Sequence, residues 1–455
     1  MMPAKGGRRA GFGRLAVLGL QHVLVMYTGC VTVPLVFGAA AGLDAATIAV
    51  LINADLLVAG IVTMIQGAGV GRILGVRMPV MAGAAFTAVT PMILIAGEYG
   101  LQAVYGSMLA AGVFGLLIAF PFAKVARFFP PLVSGVVITV VGLALIGVGV
   151  NLVVGNDPKA ADHAAPSRLA LAAFVVVVIL LVARFGRGFL AQTGVLLGLL
   201  AGTAVAVPLG LVEFSAARTA DWIGVSAPFH FGAPEFPAVA VLSMCVVMLV
   251  LFAESTADLI AVAELTGKRL TTADMARGLA ADGLSGVLGG VMNAFLDTVF
   301  AQNVGLVTMT KVRSRHVATI AGGILVVLGL VPKLGALVAG LPQPVVGAAG
   351  LVMFATVAAV GINTLRKVDF DGTHNLLIVA VSIGVGMAPE VAPDLYSRFP
   401  EGVGIVLGSP VTSATLLAFG LNLAFNGGSS RLETGFVRAP VAEARREAEA
   451  GRTGA

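Results

Sequence analysis

Apolar segments of roughly membrane-spanning length recur from one end of this 455-residue chain to the other. No polar stretch between them is long enough for a soluble domain, and only 11% of the residues are charged, against about 25% in soluble proteins. A bilayer core about 30 Å thick needs roughly 20 apolar helical residues per crossing. The sequence therefore predicts one all-α polytopic membrane domain over 15–425, surrounded by lipid. The fourteen predicted segments are 15–38, 45–69, 78–97, 101–123, 130–151, 168–184, 190–211, 237–257, 276–296, 299–311, 316–335, 342–363, 373–390 and 402–425.

The basic residues are distributed unevenly around these segments. If both termini are cytoplasmic, 23 of the 28 Lys and Arg residues fall on cytoplasmic stretches. This is the positive-inside asymmetry of membrane proteins, and it explains the net charge of +5 without a nucleic-acid partner. We expect a multi-pass cell-membrane protein with a cytoplasmic N-terminal segment at 1–14 and a cytoplasmic tail at 426–455, whose composition favours disorder.

Two segments do not have the composition of a simple spanning helix. Segment 78–97 contains Gly83 and Pro91, and segment 299–311 is too short to cross the bilayer as a helix. Each is third in its set of seven, which suggests an inverted seven-plus-seven repeat whose interrupted segments meet near the midplane. Non-helical backbone at that depth is tolerated only where it is buried in protein or lines a cavity. These segments are therefore the place to look for a ligand site.

The second interrupted segment carries the most specific motif. Gln302, Asn303 and Gly305 are followed by Thr310 and Lys311. This run resembles the signature of the nucleobase–ascorbate transporter family, also called nucleobase–cation symporter family 2. Its pattern is Gln, Glu or Pro, then Asn-x-Gly, four variable residues, Thr, and Arg, Lys or Gly. Within the family, Gln at the first position accompanies xanthine and uric acid, and Glu accompanies uracil, so the motif is most similar to the xanthine/uric acid branch.

The resemblance implies how the interrupted segments fold. Related families build each one as a short strand followed by a half-helix, and the two strands pair in mid-membrane. We expect the strands at 78–82 and 297–301, with half-helices at 85–96 and 303–310.

The resemblance also implies two domains and an assembly. Segments 1–4 and 8–11, at 15–123 and 237–335, would form a core that carries the site. Segments 5–7 and 12–14, at 130–211 and 342–425, would form a gate. Relatives commonly dimerise through the gate, so a homodimer is expected.

Glu254 is a carboxylate within an apolar span, where ionisable side chains usually serve function. A buried carboxylate can accept two N–H groups of an oxo-purine and can bind a proton. The family has a base-binding acid at this place, and Glu254 matches it. Asp258 lies one helical turn further on the same face and is expected to support Glu254 or cap a helix rather than touch ligand. The alternative for Glu254 is a structural pairing at the inner interface.

Four further residues are expected to contact substrate. The carboxamide of Gln302 both donates and accepts, so it can read the edge of a base. Phe86 is expected to stack on the base, worth about 1–3 kcal/mol, although core packing is the alternative. Backbone N–H groups at Ala85 and Ala301 are expected to face the ligand. Several relatives carry Asn, Ser or Thr in place of Ala85, which leaves the identity of the purine open.

The remaining candidates support the site or couple it to protons. The family has a histidine at His22 that braces the acidic site, and structural hydrogen bonding is the alternative there. Asp282 matches an acid of the ninth span and is expected to pair with His22 or with the cation that ends the half-helix, or to relay protons. Thr310 ends the same half-helix. Asp258 and Asn303 complete this group. Asn303 is also expected to form hydrogen bonds with backbone groups that the interrupted helix leaves unpaired near the strand.

These features predict a secondary transporter, a proton symporter that imports an oxidised purine base, xanthine or uric acid. Sodium coupling and hypoxanthine stay open. One alternative is a permease for uracil or another nucleobase, against which Gln302 argues. Another is an anion transporter of the same seven-plus-seven fold, although such proteins lack an acid at the position of Glu254. A membrane enzyme is a third, but the sequence has no phosphate-binding loop, metal-ligand spacing or nucleophile elbow. We expect no cofactor, no metal and no enzymatic activity.

Overall fold

The structure is a computed structural model that describes residues 12–125, 130–155, 158–160, 162–212, 214–310, 312–371, 373–399 and 401–426. The predicted N-terminal segment up to residue 11, Lys311 and the tail beyond 426 lie outside these ranges. The first half contains α1 (Phe12–Ala40), α2 (Ala45–Ala68), β1 (Ala82–Ala84), α3 (Val89–Val125), α4 (Pro131–Val154), α5 (Pro166–Phe185), α6 (Phe189–Gln192), α7 (Gly194–Ala206) and α8 (Ser215–Thr219). The second half contains α9 (Ala238–Thr266), α10 (Thr272–Met292), β2 (Asp297–Val299), α11 (Ala301–Thr310), α12 (Arg315–Gly329), α13 (Pro332–Ala339), α14 (Gln343–Leu365), α15 (Asn375–Val391), α16 (Glu401–Gly408) and α17 (Pro410–Asn426).

Long apolar helices dominate the described part of the chain. Seven of them are long and apolar enough to cross a membrane, namely α1, α2, α3 with the 3-10 turn before it, α4, α5, α9 and α14. The pair α12 and α13 makes an eighth if it is counted as one bent span. A mostly helical, multi-pass membrane protein is thereby confirmed.

Proline interrupts two segments that the sequence analysis predicts as single helices. Segment 316–335 divides into α12 and α13, which meet at an angle of 78°. Pro332 has no N–H and disfavours helical backbone in the preceding residue, and Val331 adopts φ −113° and ψ 84°. Segment 402–425 divides in the same way before Pro410. Both predictions of a continuous helix are therefore wrong.

Two other boundaries also differ from prediction. Segment 190–211 divides at Thr193 into the short α6 and α7. Segments 78–97 and 101–123 meet within α3 at Gly100, whose φ of 82° and ψ of 178° belong to a conformation that residues with a Cβ rarely adopt. The predicted separation of these two segments therefore corresponds to a kink with no connecting loop.

Each interrupted segment contains a strand, as predicted, and the two strands pair antiparallel, but β1 overlaps the predicted 78–82 only at Ala82 and β2 ends at Val299 instead of 301. Ala82 lies opposite Val299 and Ala84 lies opposite Asp297. β1 begins four residues later than predicted, because Val80 N–H donates to Met78 O at 2.9 Å in a local turn that uses the preceding stretch. A 3-10 turn at Phe86–Ala88 follows β1 and leads into α3, and α11 follows β2, so each strand does precede a half-helix.

Hydroxyl groups on neighbouring helices satisfy the outer edges of this two-stranded sheet. Residues of an antiparallel pair alternate between facing the partner strand and facing away. Ala82 faces away, and its N–H and C=O bond to Thr63 Oγ1 of α2 at 2.9 and 3.2 Å. Asp297 faces away on the other strand, and its N–H donates to Ser285 Oγ of α10 at 2.9 Å. Backbone groups that water cannot reach are thus paired within the protein.

Glycines let the long helices approach closely. α2 packs on α12 and α3 packs on α10. A Cβ added at Gly60 would lie 2.6 Å from Val326 N, and one added at Gly112 would lie 2.3 Å from Val287 N. A third close contact joins α4 to α14 at Gly142, where the distance to Ala358 N would be 2.3 Å. Small residues at helix crossings are the usual basis of tight packing in membranes.

Candidate functional site

Glu254 lines a cleft between α9 and two helices of the predicted gate. The opposite wall includes Ser134 and Val137 of α4 and Thr415 of α17. The Glu254 carboxylate accepts a hydrogen bond at its Oε2 from Thr87 Oγ1 at 3.1 Å. The predicted acid is therefore placed in a cleft and is held by the turn that follows β1.

Phe86 lies beside this contact, at the start of the 3-10 turn. Its ring is largely buried and meets the ring of Phe354 on α14 edge-on, with centroids 5.5 Å apart and an interplanar angle of 81°. The ring is thus positioned at the boundary between the turn and a predicted gate helix, next to the residue that bonds Glu254.

Two helix starts present backbone donors near the strands. Ala85 N–H donates to Leu296 O at 2.8 Å and so belongs to the strand pair. Among the described residues, the N–H groups of the next two residues have no acceptor, and the same holds for Ala301 and Gln302 at the start of α11. Helix N-termini with free N–H groups favour negative or carbonyl oxygen atoms of a ligand.

Gln302 is the second residue of α11, and α11 packs against α9. Its side chain is only partly buried, and it makes no hydrogen bond within the part of the chain that the structure describes. A carboxamide that is free and partly accessible can bond a ligand, because it has both donor and acceptor atoms available.

His22 and Asn303 contact each other and join α1 to α11. Asn303 Nδ2 lies 3.3 Å from His22 Nδ1 and 3.3 Å from His22 O. Both side chains are buried, and His22 Nε2 and Asn303 Oδ1 have no partner in the described structure. The sequence analysis predicted a supporting role for both residues without predicting that they contact each other.

Asp282 has a different partner from the one predicted. Gln66 Nε2 of α2 donates to Asp282 Oδ1 at 3.2 Å and to Gly278 O at 3.0 Å. Within the described residues no hydrogen bond or ion pair joins Asp282 to His22, so the expected pairing with His22 is absent. The other expected partner, Lys311, lies outside the described residues.

Asp258 and Thr310 complete the predicted set. Asp258 interacts electrostatically with Glu254 and with Asp282, so three acids are in mutual range across α9 and α10. Its Oδ2 is buried and has no described partner. Thr310 donates to Leu306 O of its own helix at 2.8 Å and thus only closes the end of α11.

Several polar residues that hold the site were not predicted. Thr87 is one, and Ser255, the neighbour of Glu254, is another. Ser255 Oγ lies 2.8 Å from Thr298 Oγ1 and accepts Val299 N–H at 3.3 Å, which ties the α9 turn that carries Glu254 to β2. The sequence does carry a signal for these contacts, because hydroxyl residues stand directly beside Glu254 and in both interrupted segments.

Comparison with known proteins agrees with the motif. A sequence model described as the Permease family matches residues 13–395. The uric acid transporter UacT of Escherichia coli K12 is 42% identical over 418 residues, which cover 91% of this chain and 86% of that protein. The xanthine permease of Bacillus subtilis 168 is 40% identical, covering 92% of this chain and 95% of that protein.

Solved structures of anion transporters share the fold at low sequence identity. The transmembrane domain of the cyanobacterial bicarbonate transporter BicA matches with a TM-score of 0.58 and 14% identity, over 89% of this chain and 97% of that domain. SLC26A9 matches with a TM-score of 0.61 and 15% identity, over 90% of this chain and 65% of that protein. These two likenesses concern the fold alone.

Proposed function

Because this chain belongs to the Permease family, whose members similar to it include transporters of uric acid and xanthine, we propose that it imports xanthine or uric acid together with a proton. It is a nucleobase transporter and not an enzyme. The observation that carries the substrate proposal is Glu254 in its cleft, hydrogen-bonded to Thr87, the residue that follows Phe86.

Each side chain has a distinct proposed role. The Glu254 carboxylate accepts the N–H groups of the oxo-purine, while Thr87 orients it. Gln302 reads the edge of the base from α11, and free N–H groups at the two helix starts, including that of Ala301, bind its carbonyl oxygens. Phe86 stacks on the ring.

Proton coupling is proposed to pass through the acids and the His22–Asn303 pair. Asp258 and Asp282 lie in electrostatic range of Glu254, so protonation of one changes the affinity of the others for protons. A proton that enters down a potential of about 100 mV gains about 2.3 kcal/mol, which corresponds to roughly fifty-fold accumulation of substrate.

We further propose fourteen segments arranged as an inverted seven-plus-seven repeat. Exchange of the halves maps the α2–α12 contact onto the α10–α3 contact and β1 onto β2. The same exchange maps Thr63, which bonds the first residue of β1, onto Ser285, which bonds the first residue of β2. The helix contacts and the hydrogen bonds at the strand edges therefore correspond between the two halves, which supports the repeat.

The proposed core is 15–123 with 237–335, and the proposed gate is 130–211 with 342–425. The cleft beside Glu254 lies between α9 of the core and α4 and α17 of the gate, as alternating access requires. The termini are proposed to be cytoplasmic on the charge distribution. A homodimer through the gate is proposed because α5 is the least buried of the seven spans.

Uptake of radiolabelled xanthine into cells that lack purine permeases tests the proposal. We expect saturable uptake that uric acid competes and uracil does not, and that Glu254→Gln or a protonophore abolishes. Glu264→Gln, which removes an exposed carboxylate from the same helix, is the matched control and should leave uptake intact. Uptake of no base by well-expressed protein would overturn the proposal and favour the alternative of an anion transporter.

A further inference from the structure

Two aspartates outside the Glu254 cleft are fully buried without hydrogen bonds. Asp55 lies in α2 and Asp297 opens β2, and each side chain is 0% exposed. All four of their carboxylate oxygens lack a hydrogen-bond partner among the described residues. Asp55 lies beside the N–H of Phe295, two residues before Asp297, although not in hydrogen-bond geometry. The two carboxylates interact electrostatically with each other.

Among the described residues, no positively charged group interacts with this pair. The groups that interact with it from the packed elements are Cys30 of α1 with both acids, Tyr105 of α3 with Asp55, and Asp282 of α10 with Asp297. The Tyr105 hydroxyl is itself buried, at 1% exposure of the residue, and has no partner in the described structure. Every neighbour is therefore acidic or neutral, and an unpartnered hydroxyl is available in range of the pair.

Physical chemistry does not allow both groups to be ionised there. An isolated carboxylate in an apolar interior binds a proton rather than remain charged. Two carboxylates that share a site also repel each other, so that one proton is held strongly. The Tyr105 hydroxyl and the Cys30 thiol could act as donors, but neither bonds to the pair in the described structure, which therefore supplies no hydrogen bond that would stabilise two negative charges.

We propose that Asp55 and Asp297 form a proton-binding dyad, in which one proton is shared between the two carboxyl groups at the base of the strand pair, apart from the Glu254 cleft. A proton is favoured over a metal cation because hard cations take about six oxygen ligands. No group of three His, Cys, Asp or Glu side chains among the described residues is arranged so that it could hold a metal ion. The binding step is the reversible addition of a proton to a carboxylate and needs no other reactant.

Infrared spectroscopy of the purified full-length protein tests the dyad without substrate. At about pH 8 most carboxyl groups of a protein are ionised, so the protonated ones are visible as a separate C=O band. We expect Asp55→Asn and Asp297→Asn each to remove or shift the same component of this band, because the proton belongs to both residues. Asp394→Asn, at an exposed position, is the control and should leave the band unchanged.

Two results would overturn the dyad. One is a band that neither substitution alters in folded, monodisperse protein. The other is a band that sodium ions remove from the unmodified protein, which would make the pair a cation site. If neither variant folds, unmodified protein labelled with 13C-aspartate must still show a protonated aspartate band at about pH 8, and its absence refutes the proposal. Because no substrate is involved, these outcomes are independent of the uptake assay.

Discussion

Thr63→Val tests how much the hydrogen bonds at the outer edge of β1 stabilise the two-stranded sheet. Thr63 Oγ1 accepts the N–H of Ala82 at 2.9 Å and donates to its C=O at 3.2 Å, and both residues are buried. Valine has the same shape but no hydroxyl, so the substitution opens no cavity and leaves two backbone groups unpaired. Each such group costs about 1–3 kcal/mol. We therefore expect a loss of roughly 2–6 kcal/mol.

The apparent Tm of detergent-purified protein, followed by intrinsic fluorescence, measures this loss. One kcal/mol shifts the Tm by about 2–4 °C in chains of 150–250 residues and by less in longer ones, so a fall of several degrees is expected. Thr308→Val removes an exposed hydroxyl that bonds only within α11 and is the matched control. Ser285→Ala should cost less, since Ser285 Oγ accepts Asp297 N–H at 2.9 Å but donates at 2.7 Å to a helix carbonyl, Asp282 O, and only at 3.3 Å to Asp297 O. Equal Tm values for Thr63→Val and Thr308→Val would refute this account of the sheet edges.

Three further substitutions test the site and the helix packing. Thr87→Val removes the donor to Glu254 and should raise the KM for purine uptake by roughly ten- to a hundredfold, because a hydrogen bond to a charged group contributes about 1.5–3 kcal/mol, whereas Thr87→Ser should restore it. Gly112→Ala forces α3 from α10 and should reduce the yield of monodisperse protein in size-exclusion chromatography, while Gly97→Ala, in open space on the same helix, should not. Asn303→Ala removes the link to the first helix and should lower the initial uptake rate severalfold, and an unchanged rate would exclude this contact from the transport cycle.

The sequence predicts the elements of the site better than their partners. The acid at Glu254 and the two interrupted segments follow from local composition, because polar groups and broken helices are conspicuous in apolar segments. The strand pair and the half-helices follow from the family resemblance that the motif at Gln302 carries. Pro332 and Pro410 break two of the predicted spans inside stretches that are apolar on both sides, so apolar length alone does not separate a continuous helix from a broken one.

What could not be predicted is which residues meet across distant segments. Thr87 and Glu254 are separated by 167 positions, and His22 and Asn303 by 281. A buried hydroxyl or amide has several partners of the right chemistry within an apolar bundle. Only the packing of whole helices selects among them, which is why Asp282 bonds Gln66 rather than the histidine that the sequence suggested.

The strand pair determines how late in synthesis the folding of the protein can be completed. β1 is synthesised early, but its partner β2 and the serine on α9 that contacts β2 come from the other half of the chain. Roughly 210 residues must be translated between them, which takes on the order of 10–40 s at about 5–20 residues per second. During that interval the backbone of β1 has no partner strand in the membrane. The first half of the chain therefore enters the bilayer unfinished, and folding of the site is completed only after α11 has emerged from the ribosome.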